Sequence, residues 1–415
     1  MGQMAELVRK YGEIIGLEEK DVKAFEDLAL LVETDPAYWK ALQDYSEGRR
    51  LPKEFLEDLK AFADEYAAGT IEVKADGSWY DGSQSEFTLM DADDLLGFAC
   101  LAATNSFAGK TVKLGADIDM NPGWTAGATA PANIWSRIGT ITTPFAGTFD
   151  GQGHTISGIY SDVALQYEGL FGVTESTAVI RDFKLKNSYF TNGSYGHLGS
   201  IAGLGKGTFE KIYSDAIVYG AGGRIGGLIG LTSSSGGITM KDCWFAGSAT
   251  VNVKASYLGG LVGHVAYAST IENCLNTGEV YHKASVTTAG TSCFVGYATA
   301  TVTLKNCVNH KNPAYTKGSG VGYFVGTDAG SSTLENCHSI NWYEKKLVGD
   351  TDNANYPTCT SHSASTVKGL NAKNVELVSN LFTDESAAGH WICSNDSLPV
   401  LTYFAAEYAA GTISE

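Results

Sequence analysis

The chain of 415 residues carries 29 Lys and Arg against 46 Asp and Glu, a net charge of −17, which disfavours nucleic acid or an anionic membrane surface as the main partner. With 44% hydrophobic residues and 49 Gly, it is neither a disordered tail nor, lacking a Gly-X-Y period, collagen. No run of about 18 apolar residues predicts a membrane span, and Met1 to Gly16 shows no basic region followed by an apolar run, so no signal peptide is expected.

Residues 1–70 predict a small α-helical module. Of the first 68 residues, 25 are charged. Asp35-Pro36 opens a helix through Tyr38, Trp39, Leu42 and Tyr45 that ends at Gly48. Pro52 opens another through Phe55, Leu59, Phe62 and Tyr66, with Gly69 as its C-cap. Similar spacing runs over roughly 3–15 and 19–32. The module reads as a docking, oligomerisation or spacer element.

Residues 71–160 read as an N-terminal cap and the first strands of a solenoid. Asp91 caps a helix through Leu95, Leu96, Phe98 and Leu101, suited to cover an exposed sheet edge. From 161 to 340 the chain repeats itself. Gly169-Leu170-Phe171-Gly172 recurs as Gly227-Leu228-Ile229-Gly230 and Gly260-Leu261-Val262-Gly263. The last Gly of this pattern falls at 172, 203, 230, 263, 296 and 326. A second column keeps phase with it: Phe183, Ile212, Cys243, Cys274, Cys307 and Cys337, each preceded by Asp, Lys or Asn.

Short units of this kind cannot bury an apolar face alone. Stacked in register they bury a continuous column and pair every strand with the coils above and below. The fold class is therefore mainly β: a right-handed parallel β-helix (solenoid) with a small N-terminal α-helical bundle. Coils about 4.8 Å apart stack on inward columns, and Asn or Asp before each inward residue suits a left-handed corner. Residues 341–415, with Trp391 and Leu398-Pro399-Val400-Leu401, would close the far end and mark a module junction. Ala63 to Ile71 matches Ala405 to Ile413 at eight of nine positions, which reads as a sign of a tandem array.

Gly260-Leu261-Val262-Gly263 followed by Ile271-Glu272-Asn273-Cys274-Leu275-Asn276-Thr277-Gly278 resembles the GLUG motif. Gly109 to Asp119 and Pro144 to Ile156 resemble the segments that precede such repeats. The resemblance covers roughly 85–402. It implies extracellular display on a bacterial surface or a phage particle, with binding as the activity, and supplies no catalytic residues.

The residues offer little chemistry of their own. Cys243, Cys274, Cys307 and Cys337 read as a buried structural ladder, because stacked Cβ atoms stand wider apart than a disulfide wants. Cys359 and Cys393 could pair if the protein is secreted into an oxidising compartment, a pairing the sequence leaves open. No CxxC spacing calls for zinc, and no metal or cofactor is expected. Asp117 and Asp119 share a strand face but lack a repeated partner for a hydrolase or lyase site. Asp350-Thr351-Asp352-Asn353 lacks the later spacing of a calcium loop. His154 reads as a structural hydrogen-bonding residue, and Gly203 to Thr208 as a turn.

Strand alternation sends Phe190, Tyr219 and Tyr281 outward as an aromatic strip suited to sugar rings or a protein surface. The expected function is a non-enzymatic surface-display or adhesion protein that binds a glycan or host-surface partner. A phage tail or virion fibre component is the first alternative, and a polysaccharide lyase or glycoside hydrolase on a β-helix the second. Neither nucleic acid nor membrane insertion is expected. Self-association would run through the N-terminal helices or tandem modules.

Overall fold

The computed structural model describes residues 75–163, 165–252, 256–283, 290–311, 314–315, 320–341, 360–363, 389–392 and 399–414. The helical module expected over 1–70, the pair Cys359 and Cys393, Leu398 and the stretch 350–353 lie outside them.

At six places the backbone turns a corner that L-residues seldom make. Asp182, Lys211, Asp242, Asn273, Asn306 and Asn336 have φ between 50° and 62°. Asn and Asp tolerate this left-handed region better than other side chains. The residue after each corner is Phe183, Ile212, Cys243, Cys274, Cys307 or Cys337, and all six are buried. One polar residue per coil thus turns the chain and aims the next side chain into the core.

The coils stack into three sheets of parallel strands, with 16, 10 and 6 strands among the described residues. The six-stranded sheet takes one strand per coil, from Phe171–Val173 to Val325–Asp328, so the solenoid has about six turns. In the 16-stranded sheet one inward column runs Phe149, Ile180, Phe209, Met240, Ile271, Leu304, Leu334, each in register with the next. Full burial of each such side chain stabilises by about 1.5–3 kcal/mol. Polar ladders share the interior. Asn276 Nδ2 donates to Asn309 Oδ1 (3.2 Å), and Asn309 Nδ2 to Ser339 Oγ (3.0 Å).

The corners give a direct test. Asn306 is fully buried, has φ 52°, and accepts a hydrogen bond from Asn336 Nδ2 at 2.8 Å. Asn306→Ala is expected to destabilise by about 1–3 kcal/mol in urea unfolding. Asn306→Gly keeps the backbone freedom and should cost less. Equal losses in the two variants would remove the left-handed corner as the cause.

The N-terminal end is closed by the helix Ala92–Ala102. The Asp91 carboxylate accepts from the Asp93 and Asp94 N–H groups at its first turn. Leu95, Leu96 and Phe98 are buried. The Phe98 ring meets Phe107, Phe145 and Phe149 with centroids 5.0, 5.7 and 6.1 Å away. The helix therefore seals the first coil with aromatic surface, as its sequence pattern predicts.

Of residues 341–415, Thr360–Ser363 stacks beside His338–Asn341 at the far end of the 16-stranded sheet, whereas the residues from Trp391 onward depart from the expected end cap. Trp391–Ile392 and Val400–Leu401 form an antiparallel pair, followed by a turn at Thr402–Phe404 and the helix Ala405–Ala409. This segment lies along the flank of the solenoid. The physical reason is an outward column of apolar side chains, Tyr213, Trp244, Leu275 and Val308, on four successive coils. With Val400, Leu401, Phe404 and Ile413 they make a second apolar cluster, outside the solenoid core.

Candidate binding face

The ten-stranded sheet stacks Tyr160–Asp162, Tyr189–Gly199, Ile217–Gly226, Ser248–Val251 and Glu279–His282 in parallel. Its inward column is Ser161, Phe190, Val218, Ala249, Val280. Phe190 is 0% exposed, which corrects its placement in an outward strip. One extra residue explains the slip. Two residues, Asp215 and Ala216, separate Ser214 from Ile217, whereas Lys186, Asn187 and Ser188 separate Leu185 from Tyr189. Asn187 takes a left-handed φ of 44°, and a one-residue shift turns every later side chain to the other face.

The outward columns carry the candidate site. Thr191, Tyr219, Thr250 and Tyr281 stand in one row. Tyr281 is 39% exposed. Tyr219 is half-buried: its hydroxyl accepts from Asn252 Nδ2 at 2.9 Å, and the Lys283 ammonium sits 4.9 Å from its ring centroid.

The parallel row begins Tyr160, Tyr189, Ile217. Tyr160 and Tyr189 stack at 5.8 Å, and Trp124 meets Tyr160 edge-on at 5.7 Å. Burial and the neighbouring Asp162 push the Tyr160 hydroxyl up to about 12. Trp124 arrives on a loop held by Asn187, whose Nδ2 donates to Trp124 O (2.7 Å) and whose Oδ1 accepts from Ala126 N (2.8 Å). Sequence reasoning missed Trp124, Tyr160 and Tyr189. The run Trp124-Thr125-Ala126-Gly127 carries no repeat phase, and Tyr189 is displaced by the same extra residue.

A second group of rings lies where the ten-stranded and six-stranded sheets meet. Tyr167, His197, Arg224 and Tyr257 are successive partners in one column. His264 and Tyr297 are partners on the facing strands. Tyr257 and Tyr297 approach to 4.4 Å, His264 stacks on Tyr297 at 5.0 Å, and the Arg224 guanidinium lies 5.6 Å from the Tyr257 centroid. His264 Nε2 is 2.9 Å from Thr299 Oγ1. Burial first, and Arg224 second, push both His197 and His264 down to about 4. Both imidazoles are therefore neutral near pH 7, and the group offers flat, uncharged rings beside a single guanidinium.

The carboxylates weighed for catalysis are occupied locally. Asp117 Oδ1 is 3.1 Å from His154 Nδ1 and accepts the Thr155 N–H at 2.9 Å. Burial opposes ionisation of Asp117, but these contacts leave it below the usual carboxylate range. Asp119 Oδ1 accepts the Asn121 N–H at 3.1 Å. Gly203 to Thr208, expected as a turn, instead belongs to the strands Ala202–Gly205 and Gly207–Ser214, and Lys206 between them pairs with Glu175 at 2.6 Å. Cys243, Cys274, Cys307 and Cys337 are buried. The sulfur of Cys274 is 3.2 Å from Glu272 O, and that of Cys307 is 3.3 Å from Lys305 O. Among the described residues no three His, Cys, Asp or Glu side chains gather as metal ligands.

Known proteins share parts of this arrangement. The family described as "The GLUG motif" matches residues 254–281, which run through the Gly263 strand, the Asn273 corner and Tyr281. Halomucin of Haloquadratum walsbyi is 28% identical over 171 residues, 39% of this chain. That match spans 2% of the length of halomucin. The crystal structure of a "putative immunoglobulin A1 protease" from Bacteroides ovatus superposes with a TM-score of 0.57 at 20% identity, covering 79% of this chain and 97% of that one. This last likeness is one of fold. The chain carries a GLUG motif at residues 254–281, set within a β-solenoid of about six turns.

Proposed function

We propose that this GLUG-motif repeat protein is a display scaffold without catalysis of its own, and that the outer face of its ten-stranded sheet binds an extended glycan. One observation carries the reading: Tyr219 and Tyr281 stand two coils apart in one outward row, on either side of Thr250, with Tyr281 open to solvent. Aromatic faces suit the apolar faces of sugar rings. The coil repeat of about 4.8 Å is close to the length of one sugar unit in an extended chain, so neighbouring coils meet neighbouring units. Rigid strands hold the rings, and the loops between them set specificity. Display on a bacterial surface or a virion belongs to the same proposal. A host-surface protein is the rival partner.

The test is binding of the full chain to a glycan array, with mass spectrometry of the same wells for cleaved product. Saturable binding without fragments is expected. Tyr219→Ala and Tyr281→Ala should each weaken it roughly 2- to 10-fold, as loss of a ring contact of about 0.5–1.5 kcal/mol implies. Released fragments would sink the reading and favour a polysaccharide-cleaving enzyme. Binding unchanged in both variants would move the site off this face.

A further inference from the structure

The flank groove and its occupant point to a second docking partner. Residues 401–413 seat four kinds of contact on the outward column of the 16-stranded sheet. Leu401, Phe404 and Ile413 are buried there. The Phe404 ring lies 6.2 Å from both Tyr213 and Trp244, and Tyr408 lies 5.8 Å from Trp244. Glu407 pairs with Lys184 at 3.3 Å. Lys186 Nζ donates to Thr412 O at 2.6 Å, after a turn in which Gly411 has φ 68°.

The same chain carries these residues twice. At an offset of 342, Leu59, Phe62, Glu65, Tyr66, Gly69 and Ile71 repeat Leu401, Phe404, Glu407, Tyr408, Gly411 and Ile413. The positions in 59–71 that differ are Lys60, Ala61 and Asp64, where the C-terminal copy has Thr402, Tyr403 and Ala406. All three of those C-terminal residues are exposed. Tyr403, 37% exposed, adds a hydrogen bond to Asp182 that the first copy lacks. The residues that fill the groove, Leu401, Phe404, Glu407, Tyr408 and Ile413, are all kept; the exposed Ala409 to Thr412 are kept as well, and Tyr403, which reaches Asp182 and Lys211, is replaced. Retention of every groove-filling side chain is what one surface constraining both copies would produce.

We propose that residues 59–71 are a second ligand for this groove, and that they dock on the flank of another copy of this chain in place of its residues 401–413. Among the described residues there is one such groove, and its own C-terminal segment fills it. A second segment of the same chemistry therefore needs a second groove. The contact is heterologous, with the N-terminal part of one copy on the flank of the next, so it propagates head to tail. Exchange keeps the buried rings and the Lys184 ion pair and loses the Tyr403 contact. The tethered C-terminal segment competes at an effective concentration on the order of millimolar.

The experiment uses full-length protein and a fluorescent peptide of residues 59–71. The peptide is titrated against the wild type and against the double variant Phe404→Ser, Ile413→Ser. Weak binding to the wild type and at least about tenfold tighter binding to the variant are expected, because the variant loosens the tethered competitor. A peptide with Phe62→Ser and Tyr66→Ser should not bind. If the folded variant binds the peptide no better than a scrambled one, the proposal fails. A second measurement avoids the chance that the variant misfolds. A photo-crosslinker replaces Tyr66 in the otherwise native chain, and isotope-light and isotope-heavy copies are mixed. Light-to-heavy crosslinks to the region around Trp244 are expected. Crosslinks confined within single copies would overturn the proposal.

Discussion

Gly263→Val is expected to unfold the centre of the solenoid at temperatures where the wild type is intact. A Cβ at Gly263 would stand 2.5 Å from Gly230 O and 2.7 Å from Ile225 N and O. These are backbone atoms of paired strands, so they cannot yield without breaking the ladder. At Gly203, Gly230, Gly296 and Gly326 a Cβ would likewise fall within 2.7 Å of neighbouring backbone. The last Gly of each repeat thus lets the six-stranded sheet lie directly against the strand of the ten-stranded sheet one coil earlier. Overpacking against fixed atoms commonly costs 1–3 kcal/mol, and a clash with backbone about 4 kcal/mol or more. In a stacked array the break also uncouples the coils on either side, so the melting transition should broaden as well as fall. Gly193 is the control, since a Cβ there meets nothing within 4 Å, and Gly193→Ala should stay within about 0.5 kcal/mol. A Gly263→Val melting curve that overlays the wild type would rule out close backbone approach as the reason for the repeated Gly.

The Gly263 column and the corner column were both legible because a solenoid makes every coil solve the same two steric problems. Close approach demands Gly at one place, and a left-handed corner demands Asn or Asp at another. Lys211 stands where the other five corners have Asp or Asn, yet its φ of 55° matches theirs. Stacking therefore overrides local preference once the neighbouring coils are in place. The binding face was less legible because it depends on phase within a single coil. Asn187 adds one residue, and that sufficed to send Phe190 inward and Tyr189 outward. The ring group of Tyr257, His264 and Tyr297 spans three strands in two sheets, so no single-strand alternation groups them. The flank groove did leave a signal: Tyr213, Trp244, Leu275 and Val308 each directly follow the inward corner residue. A large apolar side chain at a position that alternation sends to solvent marks a surface covered by something else.

The stability of this fold is expected to fall on the alkaline side through an acid rather than a base. Glu168 pairs in register with Leu198, so it occupies a place in an apolar inward column. It is 0% exposed, and neither carboxyl oxygen has a hydrogen-bond partner. Burial pushes its carboxyl up to about 8, with the Arg137 guanidinium pulling only weakly the other way. An unfolded Glu releases its proton near 4.5. Between these values the folded chain holds one more proton than the unfolded chain, so stability declines as pH rises from about 4.5 to 8 and levels off above. The loss amounts to several kcal/mol, on the order of 1.4 kcal/mol per unit of separation. His197 and His264 act in the opposite sense. Their folded values near 4 lie below the 6.5 of a free imidazole, so stability is also lost as pH falls from about 6.5 to 4. Two imidazoles outweigh one carboxyl below pH 6.5, so the opposing slopes place the maximum of stability near pH 6.5. Glu168→Gln removes the first slope and leaves the second. Chemical denaturation at pH 9 should show the variant more stable than the wild type by several kcal/mol, with the gap closing toward pH 5. A constant difference across that range would mean that Glu168 titrates in the folded state as it does in the unfolded one.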